Sequence, residues 1–360
     1  MLYVCISFDY ELFMGENLVS EEELLFQPTK KLSDMLKSLG VSATFFADVR
    51  CPVAYRRFGK TEFADEFDKQ LRYLGQQGHD VQLHIHPHWE AVTQVGKNIE
   101  FPENSYRLHH WMGIKEGNSS VAQRMIREGI DYLQTILTAE NKDYRCVAFR
   151  AGGYCLQPEK ELAKLLYDEG IRIDSSVCKG MAYNGAGMLY DYRVDPKENN
   201  VYINAKYGLS DNKSERLSES IFEIPVASYS TYPFRLVALK KNKRMQNVSS
   251  RGRYMKINNN PSVKKRSLFT RAVSKVKRLL DIHESVMVTF DSFSSDAMIY
   301  MLKRMAKECG NKDIYVATIA HPKIQSDEHI ENMRLAIEVL QRSDNIRFVS
   351  MRQAADQLRL

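Results

Sequence analysis

Along the first half of the chain, the pattern of apolar and polar positions predicts strands and helices in alternation. Short apolar runs predict buried strands at 2–8, 43–47, 80–83, 147–150 and 171–174. Apolar residues at helical spacing predict helices at 21–39, 63–74, 119–137 and 159–168. Gly40 directly follows the first helix and Gly170 lies two residues past the fourth, near where a C-cap glycine is expected. This βαβα order predicts an α/β protein with a parallel sheet or a β/α barrel.

The alternation stops between residues 178 and 281 and then resumes. Glycines and polar residues are frequent in this range, and 223–226 is the strand predicted within it. Strands at 285–290, 314–319 and 346–349 and helices at 296–308 and 330–340 follow. We find no internal repeat. The pattern therefore predicts a single domain over residues 1–360, with an irregular insertion at about 180–281.

Composition is typical of a globular protein, with 44% hydrophobic and 27% charged residues. No apolar run reaches the length of a transmembrane helix. The apolar N-terminal run is short and ends at an acid, so we interpret it as the first strand and not as a signal peptide. The six cysteines form no CxxC pair, which favours reduced thiols over a disulfide framework. These features predict a cytoplasmic protein.

Basic residues are concentrated in one part of the chain. The range 224–280 contains 15 of the 51 Lys and Arg residues and none of the 45 Asp and Glu residues. From Ser262 to Leu280, apolar residues at helical spacing oppose a basic face. One interpretation is a helix packed on the barrel with a solvated basic face. The other is peripheral attachment to an anionic membrane surface, at the inner face of the membrane. Nucleic acid is less favoured, because no accompanying motif is present.

Histidines are concentrated between Gly78 and Trp89. His84 and His88 are four residues apart and follow an apolar run. On a helical turn at the end of a strand, both imidazoles could reach one divalent metal ion. The alternative is that they are surface or stacking residues. On such a turn His86 points elsewhere, so we assign His86 and Trp89 to substrate binding.

Acidic, basic and imidazole side chains follow three further predicted strands. Asp9 and Glu11 come just past the first strand, and they could supply a metal ligand and a general base. Arg150 could orient a carboxylate, and Gly153 could help to present N–H groups to an oxyanion. His321 could protonate a leaving group. The alternatives are a helix cap, a simple turn and a loop histidine. Weaker candidates are His109, His110, Asp174 and Asp291.

With these candidate residues in this order along the sequence, the chain resembles the NodB-homology polysaccharide deacetylases, carbohydrate esterase family four. It is most similar to a divergent branch linked with lipopolysaccharide and capsule biosynthesis. The resemblance spans residues 1–325, with a poor match in the middle hundred residues. The matching motifs are Phe8-Asp9-Tyr10-Glu11, Gly78-His79-Asp80 with His84 and His88, Phe149-Arg150-Ala151-Gly152-Gly153-Tyr154, and Ile319-Ala320-His321-Pro322.

The resemblance implies a distorted, incomplete (β/α) barrel of the polysaccharide deacetylase type. It implies that the divalent metal is bound by Glu11, His84 and His88. The implied general base, its orienting partner and the general acid are Asp9, Arg150 and His321. The two acids, Asp9 and Glu11, could exchange roles. The expected substrate-binding residues are Gly153, Tyr154, His86 and Trp89.

The function that the resemblance implies is metal-dependent removal of an N-acetyl group from a sugar of a cell-surface glycan precursor. Imidazole ligation makes zinc the first expectation, and cobalt, nickel or iron would fit the same ligands. One alternative is another metal-dependent amidohydrolase or esterase on the same fold. A second is a catalytically inactive binding protein in glycan assembly. The complete set of candidate side chains argues against inactivity.

Overall fold

The computed structural model describes residues 1–360 except 14–15, 18–19, 96–97, 103–104, 186, 194–199, 210–215, 217, 232–254 and 257–283. The basic segment predicted at 262–280 lies outside the described residues, so its attachment to a membrane stays a prediction. Within the described ranges, no helix is both long enough and apolar enough to span a membrane.

Nine strands form one sheet that is parallel except at one edge. They are β1 (Leu2–Tyr10), β2 (Thr44–Asp48), β3 (Asp80–Ile85), β4 (Ala148–Ala151), β5 (Ile173–Asp174), β6 (Val201–Asn204), β7 (Ser220–Glu223), β8 (Ile314–Ala320) and β9 (Ile346–Phe348). The order across the sheet is β6-β7-β5-β4-β3-β2-β1-β8, and β9 also pairs with β1. Only β6 and β7 pair antiparallel in this sheet, as far as the structure describes it. Apart from the short β9, the parallel strands are buried along nearly their whole length, as strands covered on both faces should be.

Isolated bridges connect the two ends of this sheet. Val226, just past β7, pairs in parallel with Cys178, which follows β5, and with Ala317 in β8. The Ala227 N–H donates to the Ala317 carbonyl at 2.7 Å. The sheet therefore curls until its two sides meet through a short irregular seam. The predicted distorted, incomplete (β/α) barrel is confirmed.

Helices surround the sheet. Those of the described residues are α1 (Gln27–Ser38), α2 (Arg50–Arg57), α3 (Thr61–Gln76), α4 (Leu108–Met112), α5 (Val121–Leu137), α6 (Glu159–Asp168), α7 (Ser295–Glu308), α8 (Asp327–Gln341) and α9 (Met351–Leu358). Helix α5 lies close against β3, because a Cβ at Gly129 would stand only 2.7 Å from a methyl carbon of Leu83. Ser120, Ser294, Ser326 and Ser350 each cap a helix by accepting a backbone N–H.

Short turns and hairpins complete the described structure. A π-helical turn, Glu22–Phe26, precedes α1, and 3-10 turns cover Pro87–Glu90, Gly152–Tyr154 and Pro322–Ile324. The two-stranded pairs are Glu16–Asn17 with Met255–Lys256, Thr93–Val95 with Asn98–Glu100, Lys115–Glu116 with Ser119–Ser120, Ala182–Gly185 with Met188–Asp191, and Ser228–Thr231 with Glu284–Met287.

The predicted elements agree well with those observed, and the differences are short elements. Helices α2, α4 and α9 and strand β6 were not predicted, because eight or fewer residues carry too little periodicity to recognise. Strands β6 and β7 join the main sheet although both lie inside the range predicted as an insertion. The organisation as one domain with an insertion stays a prediction. All six cysteines are free and buried.

Candidate active site

The carboxyl ends of β1, β2, β3, β4 and β8 meet at one rim of the sheet, and Glu11 lies at its centre. Glu11 follows β1 and is buried. Its Oε2 atom is 3.3 Å from His84 Nε2 and 2.5 Å from His86 Nε2. One ligand atom from each of these three residues lies within 4.8 Å of the other two. Two imidazole nitrogens and a carboxylate oxygen form a donor set typical of zinc and similar divalent metals.

His86, and not His88, joins His84 in this group because of the backbone. Strand β3 continues through Ile85, and His86 is itself extended, with φ −96° and ψ 98°. Residues two apart on extended backbone project to the same side, so His84 and His86 reach Glu11 together. The helical turn that the sequence analysis assumed over 84–88 does not form there, since the 3-10 turn begins only at Pro87.

His88 lies behind this group in an aromatic environment. Its ring is fully buried and lies about 5 Å from the rings of His86, Trp89, Phe101 and Tyr106. Neither ring nitrogen has a hydrogen-bond partner among the described residues. Burial, and the neighbouring His86, hold the pKa of His88 well below its usual value. His88 is thus a neutral imidazole and is not among the three groups that the structure brings together.

The orientation of His84 suits a cation at Glu11. Its Nδ1 atom is 2.8 Å from the Arg150 carbonyl oxygen, so Nδ1 carries a proton and Nε2 faces Glu11. Burial alone would lower the pKa of His84, but the carboxylates of Asp9 and Glu11 raise it to about 9. The pocket therefore favours a positive charge at Nε2, the position where a metal ion would replace a proton.

Asp9, the last acid of β1, is held by a fully buried arginine. Arg150 Nη1 donates to Asp9 Oδ1 at 2.6 Å, and Nη2 donates to the hydroxyls of Ser7 and Ser175 at 2.9 Å each. The guanidinium also lies 4.1 Å from the centre of the Phe46 ring. Burial would raise the pKa of Asp9, but the positive charges of Arg150, His84 and His321 together outweigh burial and hold that pKa below the ordinary value. The structure thus brings Asp9 and Arg150 together, and their roles as general base and orienting partner stay a prediction.

His321 follows β8 and completes the rim together with Asp291. Its Nδ1 atom is 2.6 Å from Asp291 Oδ2, and its backbone N–H donates to Asp291 Oδ1 at 2.9 Å. Its Nε2 atom lies 3.7 Å from Asp9 Oδ2 and 3.6 Å from Glu11 Oε1. Burial lowers the pKa of His321, but Asp291 more than offsets this and raises it. The imidazole is 19% exposed, so the site opens to solvent there.

Lys323 is a residue of the site that the sequence analysis missed. It lies two residues past His321, in the 3-10 turn, and is 8% exposed. Its ammonium donates to Glu11 Oε1 at 2.7 Å and to the Leu12 carbonyl at 3.0 Å. Burial would raise the pKa of Glu11, but Lys323 and the two histidines lower it well below its usual range. A lysine after a strand has no distinctive spacing, so only the folded structure reveals this pair.

The remaining predicted substrate-binding residues differ in their surroundings. Gly153 and Tyr154 form a left-handed turn, with φ 60° and 61°, directly after β4. Burial raises the pKa of Tyr154 well above its usual value, and the charge of nearby Asp9 adds to the effect. Trp89 is 3% exposed, and its indole N–H donates to Asp48 Oδ2 at 2.8 Å. The described contacts of Trp89 are therefore with protein.

A second carboxyl pair lies behind Arg150. Asp174 accepts hydrogen bonds from the Ser176 hydroxyl and backbone N–H, both at 2.8 Å. Glu223 accepts the Val177 N–H at 3.1 Å and is hydrogen-bonded to Asp174. Burial, reinforced by Asp174, raises the pKa of Glu223 well above its usual value. This pair connects β5 to β7 and supports the rim without facing it.

Comparisons with known proteins give similar folds. No protein-family model matches the sequence, and no curated protein sequence matches it either. A structure described as a polysaccharide deacetylase from Mycobacterium smegmatis has 13% identity and a TM-score of 0.47, over 99% of this chain and 90% of that one. Puue allantoinase has 11% identity and a TM-score of 0.48, over 99% of this chain and 89% of that one. A structure described as a polysaccharide deacetylase from Pseudomonas aeruginosa PAO1 has 12% identity and a TM-score of 0.47, over 99% of this chain and 90% of that one. The family that the motifs resemble is thus represented among the similar structures.

Proposed function

We propose that the chain is a metal-dependent hydrolase that removes an N-acetyl group from a sugar of a cell-surface glycan precursor. The observation that carries the proposal is one rim that combines a metal-ligand group, a buried carboxylate–arginine pair and a carboxylate–histidine pair. These groups are Glu11, His84 and His86; Asp9 and Arg150; and His321 and Asp291. Structures described as polysaccharide deacetylases are also among those similar to this chain.

Glu11, His84 and His86 would hold the metal. The three ligand atoms are close together and buried, and the charge around His84 Nε2 already favours a cation. Bound there, a divalent ion would polarise the amide carbonyl and lower the pKa of a water molecule. We propose zinc, while cobalt, nickel or iron suit the same donors. The geometry supports His86 as the third ligand in place of His88.

Asp9 is the proposed general base. Its pKa is lowered, so the carboxylate is ionised near neutral pH. Arg150 holds one oxygen of Asp9, which leaves Oδ2 directed towards His321. From this position Asp9 can accept a proton from the water that attacks the carbonyl carbon. Arg150 positions Asp9 and prevents it from rotating.

His321 is the proposed general acid. Asp291 holds its Nδ1 and raises its pKa, which favours the protonated imidazole. As the C–N bond breaks, His321 Nε2 donates its proton to the leaving nitrogen. The products are acetate and a free amine. The N–H groups of Gly153 or Tyr154 are the proposed donors to the tetrahedral oxyanion.

The cellular setting is also a proposal. The resemblance of the motifs to lipopolysaccharide and capsule enzymes supports a glycan precursor made in the cytoplasm. The basic segment at 262–280 supports peripheral attachment to anionic lipid. Flotation with vesicles of phosphatidylglycerol tests the attachment, and a protein that stays with the unbound fraction contradicts it.

Acetate release tests the reaction. Zinc-loaded protein is assayed with UDP-N-acetylglucosamine and with N-acetylated oligosaccharides. The wild type should release acetate, and Asp9→Asn and His321→Gln should each lower kcat by at least about 100-fold. Asp131→Asn, an exposed acid on α5, is the matched control and should leave kcat unchanged. Acetate release that persists in both site variants contradicts the assignment. Release from acetate esters alone would indicate an esterase on the same fold.

A further inference from the structure

A cavity of about 380 Å³ adjoins the candidate active site. One wall is formed by Arg107 with His109 and His110, and the other by Asn184, Met188 and Leu189 of the hairpin Ala182–Gly185 and Met188–Asp191. We propose that this cavity binds an anionic group, a carboxylate or a phosphate ester, on the sugar residue next to the one that is deacetylated. The proposal rests on the proposed function and specifies its substrate as an acidic glycan.

The cavity adjoins the catalytic rim through two close contacts. A Cβ at Gly153 would stand 2.1 Å from Met188 Sδ, so the hairpin lies directly on the turn after β4. A Cβ at Gly187 would stand 2.5 Å from the Tyr106 ring, and that ring lies 5.0 Å from the ring of His88. The volume falls within the range of about 300–1,000 Å³ that is usual for small-ligand sites. A ligand in the cavity would therefore be next to the deacetylation site.

The lining is cationic and polar. Arg107, His109, His110 and Asn184 provide N–H donors, and the lining residues that the structure describes include no Asp or Glu. A guanidinium pairs well with carboxylate and phosphate oxygens, and imidazole and amide N–H groups add donors at the same place. A neutral sugar alone would leave the charge of the arginine unmatched.

Arg107 differs from two other arginines of this chain, the buried Arg50 and the half-buried Arg124. Arg50 is paired with Glu90 and Glu128, and Arg124 is paired with Glu90 and Glu116. Arg107 makes no salt bridge with any described residue. Its Nη2 atom donates to the Gln157 carbonyl at 3.3 Å, and its Nε atom is buried without a partner among the described residues. The side chain is thus fixed in place while its charge remains available for an external anion.

The hairpin supplies an apolar surface beside this charge. Tyr183 is 44% exposed and stacks on Tyr190 with the ring centres 6.2 Å apart. Leu189 is 41% exposed at the edge of the same cavity. An exposed tyrosine ring can stack on the apolar face of a sugar while the anionic substituent enters the cavity.

Binding affinity tests the proposal without requiring catalysis. The full chain is titrated by calorimetry with three probes: a hyaluronan tetrasaccharide, which carries carboxylates; a tetra-N-acetylchitotetraose phosphorylated at one 6-hydroxyl; and neutral tetra-N-acetylchitotetraose. The variants are Arg107→Met, the exposed double variant His109→Gln/His110→Gln, and Lys142→Met as a control. Lys142 is exposed and precedes β4, at the opposite end of the barrel from the site.

The wild type should bind at least one anionic probe about tenfold more tightly than the neutral probe, and this preference should weaken with salt. In both site variants the Kd for the anionic probe should rise about tenfold and the Kd for the neutral probe should stay unchanged. In Lys142→Met both Kd values should stay unchanged. Preference for the carboxylate or for the phosphate probe identifies the anion. Equal affinity for charged and neutral probes, no binding of any probe, or an unchanged preference in both site variants overturns the proposal. If the wild type prefers the anionic probe in an Arg107-dependent way but releases no acetate, the proposed reaction is rejected and the proposed anion subsite is kept.

Discussion

Removal of the Lys323 ammonium should destabilise the metal-free protein strongly. The Lys323 Nζ atom is 2.7 Å from Glu11 Oε1, and both side chains are more than nine-tenths buried. At that distance, an effective dielectric constant of about 20 gives an attraction of about 6 kcal/mol. Part of this is cancelled by the cost of desolvating both ions, so loss of one partner should lower the free energy of unfolding by about 3–5 kcal/mol.

Urea unfolding of Lys323→Met in the presence of EDTA measures this loss. Lys31→Met is the matched control, because Lys31 forms a salt bridge of similar length with Asp327 but on the surface. Exposed ion pairs contribute little to stability, so the control should unfold close to the wild type. The double variant Glu11→Gln/Lys323→Met should recover part of the loss, because no unpaired charge remains.

Metal should reduce the effect of the same substitution. A divalent ion at Glu11, His84 and His86 would neutralise the carboxylate that Lys323→Met leaves unpaired. The difference from the wild type should therefore become smaller when zinc replaces EDTA. The reasoning is refuted if Lys323→Met is no less stable than Lys31→Met in EDTA, or if zinc leaves the difference unchanged.

Three further substitutions test other parts of the site. Asp291→Asn should lower the pKa of His321. Because activity needs the protonated imidazole, the alkaline limb of the pH–kcat profile should shift to lower pH. Gly152→Ala places a Cβ 2.8 Å from His86 Nδ1, so zinc affinity should fall by about tenfold or more in a chelator competition, and unchanged affinity would contradict the ligand geometry. The pKa of Glu223 is raised by burial, so its contribution to stability is complete below about pH 4.5 and is lost as pH rises towards the folded-state pKa. Glu223→Gln removes that loss, and its stability relative to the wild type should increase from pH 5 to pH 9 in urea unfolding.

Most of the fold can be predicted from the sequence because burial on both faces makes each parallel strand a recognisable apolar run. Strands β1, β3 and β8 are examples, and the polar residues just past them mark the rim. The motif resemblance adds the roles of Asp9 and Arg150 as an ion pair, and the structure places them 2.6 Å apart. Chain order and burial therefore indicate which strand ends carry the candidate chemistry.

The details of the site depend on backbone conformation and on contacts distant in sequence. Spacing alone favoured His84 with His88, and only the extended backbone through Ile85 brings His86 to Glu11 instead. Lys323 reaches Glu11 across 312 positions of sequence, and no local pattern predicts such a contact. The cavity beside the rim is formed by a helix and a hairpin that are distant in sequence, so it too follows only from the fold.

Metal content gives the most direct test of the central claim. Wild type, His84→Ala, His86→Ala and His88→Phe are purified, reconstituted with zinc, dialysed and analysed by mass spectrometry of the metal. The account predicts about one ion per chain in the wild type and in His88→Phe, and loss of the ion in His84→Ala and His86→Ala. Absence of metal from the reconstituted wild type would contradict the account. Loss of the ion in His88→Phe, together with its retention in His86→Ala, would also contradict the account.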